Sequence, residues 1–179
     1  AIKEAFKHYD GAAGLKADYP GRNGLASRLQ TISRLICGGL PTKVFYTITG
    51  GFDTHANQPR GQSYALSQVA DSVAAFYRDL ELQGRADDVT LMTFSEFGRR
   101  VHENASQGTD HGTASVMFVV GNAVKGGSFG AYPSLTNLDA GDLKFTTDFR
   151  SVYATLLDNW LGTSSQKVLG GSFPGLKFV

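Results

Sequence analysis

Thr42-Lys43-Val44-Phe45-Tyr46-Thr47-Ile48-Thr49-Gly50-Gly51-Phe52-Asp53-Thr54-His55 runs from a β-branched and aromatic segment, through two glycines, into a carboxylate and an imidazole. The apolar run over residues 44–49 is continuous rather than alternating, which suits a strand covered on both faces. Gly50 and Gly51 permit a sharp turn at its end. In an extended chain, residues two apart point to the same side, so Asp53 and His55 form a chelating pair in outline. Carboxylate oxygen and imidazole nitrogen are ligands for a divalent Zn²⁺ or Mn²⁺ ion. An Asp also orients a neighbouring His without any metal, and on this stretch alone both readings stand.

Downstream, Tyr64, Leu66, Val69, Val73, Phe76, Tyr77, Leu80 and Leu82 trace an amphipathic helix that stops at Gly84. Residues 89–94 repeat the buried-strand pattern. Strand, helix, strand in that order predicts a right-handed crossover between parallel strands whose carboxyl ends share one sheet edge. Ser95-Glu96-Phe97-Gly98-Arg99-Arg100 and Gly108-Thr109-Asp110-His111-Gly112 follow. Ligands bind at that edge of open parallel sheets, so Asp53, His55, Glu96, Asp110 and His111 are expected to converge there. Three carboxylates and two imidazoles so close would require a cation. Each also has a plainer reading: Asp110 and His111 as turn residues, and Glu96 as an ion-pair partner of Arg99 or Arg100.

Residues 116–120 read as a third strand, 121–132 as a Gly-rich loop, and 149–161 as a closing helix with Asp148 near its start. Upstream, Leu25, Leu29, Ile32, Leu35 and Ile36 keep helical spacing before Gly38-Gly39 and Pro41. Residues 9–24 read as a loop or linker behind a short N-terminal helix. The expected fold class is α/β, a doubly wound, mostly parallel sheet with flanking helices.

At 179 residues, 41% hydrophobic and 18% charged, the chain has the length and composition of one compact globular domain. Seventeen basic residues against sixteen acidic, with no basic run interleaved with aromatics, give no nucleic-acid footprint. The single Cys37 forms no internal disulfide and reads as a buried, inert thiol. No apolar stretch is long enough for a membrane span, and no export signal is visible. His8 and His102 read as solvated, and Thr93, Ser95 and Thr109 as strand or turn hydroxyls, since no nucleophile elbow is present. No phosphate-loop pattern occurs, which excludes a P-loop nucleotide site. The start Ala1-Ile2-Lys3-Glu4-Ala5-Phe6 reads like the middle of a helix, so a longer parent chain is expected.

Gly50-Gly-Phe-Asp53-Thr-His55-Ala-Asn-Gln58, Ser95-Glu96-Phe-Gly-Arg99, Glu103-Asn104, Gly108-Thr-Asp110-His111-Gly112, Val124-Lys-Gly-Gly127 and Thr147-Asp148-Phe-Arg150 together resemble the DUF1501 proteins. These are of uncharacterised function and are placed in the alkaline phosphatase/sulfatase-like superfamily. The resemblance covers nearly all of residues 22–179. It implies the C-terminal part of an alkaline phosphatase-like α/β domain, with residues 1–21 an N-terminal helix remnant and linker. It further implies a parent protein whose N-terminal half carries a twin-arginine export signal, the first strand, a metal-bridging Asp and the nucleophile, and whose home is periplasmic or extracellular. Asp53 and His55 stand closer together than the superfamily's Asp-x-x-x-His, and Glu96-Phe97 replaces its Asp-His pair. The function implied is a metal-dependent hydrolase of phosphate or sulfate esters. Asp53, His55, Glu96, Asp110 and His111 would hold one or two Zn²⁺ or Mn²⁺ ions, and Arg99 would neutralise the tetrahedral oxyanion. Its substrate would be a small-molecule or polysaccharide ester. The competing expectation is a non-catalytic secreted binding or scaffold module with a structural metal or none.

Overall fold

The computed structural model describes residues 1–11 and 16–179. Contacts divide these into two units, Ala1–Val89 with Ala105–Gly108, and Thr90–Asn104 with Thr109–Val179. Part of the loop expected over residues 9–24, residues 12–15, lies outside the described residues.

The first unit is helical: α1 (Ile2–Gly11), α2 (Gly24–Cys37) and α3 (Gln58–Leu82). Asn23 starts α2, its side-chain oxygen accepting from the N–H groups of Leu25 and Ala26, which otherwise lack intrahelical partners. The amide nitrogen of the same side chain donates to Ser72 Oγ at 2.8 Å and the Gln68 carbonyl at 2.9 Å, tying the cap to α3. Leu25, Leu29 and Ser33 bury one stripe of α2, and Phe76 and Leu80 one stripe of α3. Burying each large apolar side chain contributes about 1.5–3 kcal/mol. Small side chains let α1 approach: a Cβ on Gly38, just past α2, would lie 2.1 Å from the Ala5 carbonyl oxygen.

The centre of this unit is polar. Asp79, fully buried on α3, accepts from Tyr9 Oη and Ser33 Oγ at 2.7 Å, from Tyr19 Oη at 3.1 Å and from the Ala17 N–H at 3.3 Å. A carboxylate removed from water is costly unless its oxygens are satisfied, and these four donors come from α1, the segment before α2, and α2 itself. Burial first, and the Asp79 carboxylate second, push the hydroxyls of Tyr9 and Tyr19 well above the ordinary tyrosine value. Burial likewise raises the half-buried Cys37 thiol, in keeping with an unreactive role.

The doubly wound, mostly parallel sheet is not present. The described strands form two separate two-stranded antiparallel ladders, both in the second unit: β1 (Leu91–Met92) with β4 (Val119–Val120), and β2 (Gly98–Glu103) with β3 (Thr109–Gly112). Residues 42–49 join no ladder among the described residues. Their burial alternates instead, with Val44, Tyr46 and Ile48 each more than 60% exposed. Of the run 89–94 only Leu91 and Met92 pair, and they pair antiparallel with Val120 and Val119, so no parallel crossover is made. β-branched composition sets an extended backbone; it does not choose the partner, and here the partner lies past β3 rather than before α3.

In β2 and β3, Gly98 pairs with Gly112, Arg99 with His111 and Glu103 with Thr109, so the four steps from Arg99 to Glu103 oppose two on β3 and β2 bulges. The second unit ends in α4 (Phe149–Thr155), a π-helical turn (Leu156–Trp160) and α5 (Ser165–Leu169). Asp148 caps α4 through the Arg150 N–H, and the Arg150 guanidinium folds back on its carboxylate at 2.6 Å. Those bonds hold Asp148 below the usual carboxylate range. Asp158 is lowered too, by accepting from the Ser165 N–H and Oγ at the start of α5.

Candidate metal centre

Asp53 and His55 sit in the first unit, in the segment between residues 42–49 and α3. Gly51 adopts φ +94°, a conformation that Gly holds without Cβ strain. Thr54 donates its N–H to the Phe52 carbonyl at 2.9 Å, so Asp53 is the central residue of a tight three-residue turn and His55 follows it. His55 Nε2 lies 2.9 Å from Asp53 Oδ1, with both side chains about half exposed. Two ligand atoms about 2.1 Å from one ion are about 3.0 Å apart at a right angle and about 3.4 Å apart at the tetrahedral angle. The pair therefore spans adjacent octahedral positions nearly as it stands and opens by about half an ångström to take a tetrahedral ion.

The turn is braced from behind by Ala105–Gly108, which belongs to the same unit. Asn57, in the left-handed conformation at the start of α3, supplies no side-chain cap. The orphan donors go elsewhere: Asn57 N–H donates to the Ser106 carbonyl at 3.0 Å and Gln58 N–H to the Gln107 carbonyl at 2.8 Å. Gly108 is buried against the peptide of His55, so close that a Cβ would fall 2.2 Å from the His55 carbonyl carbon.

His111, Asp110, Glu96 and Arg99 belong to the second unit. β3 alternates, so Asp110 and His111, adjacent in sequence, face opposite sides of the ladder. Asp110 Oδ1 accepts from Asn104 Nδ2 at 3.4 Å. His111 faces Arg99 across the ladder and stacks on Phe97, ring centroids 4.0 Å apart and planes 5° from parallel. Arg99 lies with its guanidinium carbon 5.0 Å from the Phe97 ring centre and donates to the Thr109 carbonyl. Glu96 is exposed in the bend before β2, where it escapes the desolvation cost expected for a carboxylate after a buried strand. Arg100 pairs instead with Asp142, Nε to Oδ1 3.3 Å.

Within each unit, then, Asp53 is brought to His55, and Arg99 and Phe97 to His111, while Asp110 points away from its neighbour. Phe97 and Gly108 were not legible as site residues. Their signal was present only as context: an aromatic two residues before Arg99, and a glycine opening the Thr109-Asp110-His111 segment.

Residues 20–171 match the family model described as a protein of unknown function, DUF1501. No curated protein and no solved structure gives a significant match. Among the described residues, no helix is long and apolar enough to cross a membrane.

Proposed function

Because the chain belongs to the DUF1501 family, whose function is undefined, its chemistry must be read from its own residues, and we propose that it is a metal-dependent hydrolase of phosphate or sulfate esters. The observation that carries this reading is the Asp53–His55 pair at 2.9 Å on a glycine-shaped, solvent-open turn. An exposed carboxylate–imidazole contact adds at most about 1 kcal/mol to stability, and its two ligand atoms stand near the separation that one divalent ion accepts.

His111, in the second unit, stands as a further ligand on the Asp-His pattern of the sequence. Asp110 and His111 leave β3 on opposite sides, so one of the two serves a given ion; His111, with its ring fixed by Phe97, is the better placed. Glu96 and Asp110 complete the set if a second ion is held. A bound Zn²⁺ or Mn²⁺ would polarise the ester oxygen and lower the pKa of a bound water. Arg99, held on Phe97 and the Thr109 carbonyl, presents a planar fork of donors suited to a tetrahedral oxyanion.

The test is elemental analysis of the purified chain after dialysis with Zn²⁺ or Mn²⁺, beside Asp53→Ala/His55→Ala and His111→Ala, followed by assay on p-nitrophenyl phosphate and sulfate. Stoichiometric metal in the wild type, lost in the double variant, with hydrolysis that needs the metal and falls in Arg99→Ala, is expected. A folded wild type that retains neither ion overturns the proposal.

A further inference from the structure

We propose that Phe97 is the positioning residue of the His111 imidazole, fixing the plane in which its ring nitrogen meets the metal; the inference rests on His111 being a ligand. His111 is solvent-exposed, and an exposed imidazole turns broadly about χ2. Its ring lies flat on that of Phe97, centroids 4.0 Å apart and planes 5° from parallel. Stacking leaves the imidazole free to slide in its plane but not to tip out of it. Ring-nitrogen lone pairs lie in that plane, so a parallel neighbour orients the ligand without occupying a coordination position.

The backbone is built for this contact. Arg99 and His111 are directly opposite in the ladder, and Phe97 precedes Arg99 by two, so all three project from one face. Between them the Gly98–Gly112 pair has no side chains. A Cβ on Gly98 would lie 1.8 Å from the Ala114 carbonyl oxygen, and one on Gly112 would lie 2.7 Å from the Arg99 carbonyl carbon. Arg99 on the Phe97 ring, with its bond to the Thr109 carbonyl, restrains the aromatic in turn. Orientation of a metal-bound imidazole by its surroundings is a general determinant of affinity. Here the stacked Phe97 ring contributes to it.

The experiment compares the 179-residue chain with Phe97→Leu, Phe97→Tyr and His111→Ala, titrated calorimetrically with Zn²⁺ or Mn²⁺ alone. Each is also examined metal-free for the ring-current shift of the His111 protons. Phe97→Leu keeps apolar bulk, so the fold is retained while the flat contact goes. We expect Phe97→Leu to weaken binding about three- to tenfold at unchanged stoichiometry, the range of one aromatic pair. Its His111 protons should lose their upfield shift, and Phe97→Tyr should restore both readouts. If His111→Ala weakens binding while Phe97→Leu binds like wild type, the positioning role is overturned and the metal reading survives. If His111→Ala binds like wild type, both fall.

Discussion

Replacing Gly108 by Ala puts a methyl carbon 2.2 Å from the His55 carbonyl carbon, 2.3 Å from its oxygen and 2.6 Å from the Ala56 nitrogen. All three are backbone atoms, so no rotamer change relieves the overlap. Restoring ordinary contact needs a displacement of about 1 Å or more, and overpacking on that scale costs about 1–3 kcal/mol or more if the segment stays in place. The alternative is for Ala105–Gly108 to lift away. That sacrifices the bonds from Asn57 and Gln58 to the Ser106 and Gln107 carbonyls, at about 1 kcal/mol each. Alanine recovers about 0.4–1 kcal/mol by restricting the unfolded chain. Lifting is the cheaper route, so the net loss is about 1–2 kcal/mol, concentrated at the start of α3. Hydrogen exchange reads it directly: the Asn57 and Gln58 amides should exchange about tenfold faster, while amides in the middle of α3 hold. Gly126→Ala is the control, since a Cβ there meets nothing within 4 Å and its φ is not left-handed. Gly108→Ala that matches Gly126→Ala in urea unfolding, with the Asn57 and Gln58 amides protected as in wild type, would refute the reasoning.

Asp79→Asn keeps the shape of the buried hub but supplies one acceptor oxygen where three hydroxyls and an N–H donate. A loss of about 2–4 kcal/mol in urea unfolding is expected, and a neutral result would show that the four donors do not need both carboxylate oxygens. Alkaline stability has a definite sign. The Tyr9 and Tyr19 hydroxyls are raised in the folded chain, so their contribution is intact below the unfolded value near pH 10 and declines above it, as only the unfolded state ionises. The phenolate absorbance of wild type less that of Tyr9→Phe or Tyr19→Phe should show each of these tyrosines titrating with unfolding; a difference signal that ionises smoothly near pH 10 in the folded protein contradicts their burial. Gly98→Ala should separate β2 from β3 at its Gly112 end, because the clash is with the Ala114 backbone. Its signature is loss of the His111 ring-current shift, and retention of that shift would argue against the close approach.

The helices could be read from the sequence and the sheet could not, for different physical reasons. Helical pairing is local, so Asn23 before Leu25 and the stop after Cys37 suffice to place α2. Even there the apolar line misled in detail: Ser33 and Asp79 are fully buried, while Tyr64 and Leu66 are exposed. A periodicity count ignores polar residues, and so misses a core built around a carboxylate. Of the strand-like runs, 89–94 and 116–120 each contain a two-residue strand, and 44–49 contains none. Their pairing, however, is a long-range choice that composition does not encode, and Leu91 takes Val120. The reading of a shared parallel edge failed with it. Of the site, the Asp53–His55 spacing was legible because two-residue periodicity is itself local. The orientation of Asp110 against His111 required knowing that the segment is a strand rather than a turn.

What places the candidate ligands is backbone contact more than burial, and this sets the kind of site to expect. Asp53, His55 and His111 are all exposed, so none gains from the low dielectric that strengthens interactions in a core. Their arrangement depends on glycines: Gly51 to turn the chain, Gly108 to seat a second segment on the His55 peptide, and Gly98 with Gly112 to bring Phe97 onto His111. Each removes a side chain where two backbones meet. Such a site pays little desolvation on exchanging water for a ligand, and equally has few buried groups to grip an ion. Metal bound there should be held in rapid exchange and removed by mild chelation without unfolding the chain, because the Asp79 hub and the helices it joins share no residue with the ligands. Chelation that melts the first unit would mean that the ion supports the fold, and the centre would then be structural instead of hydrolytic.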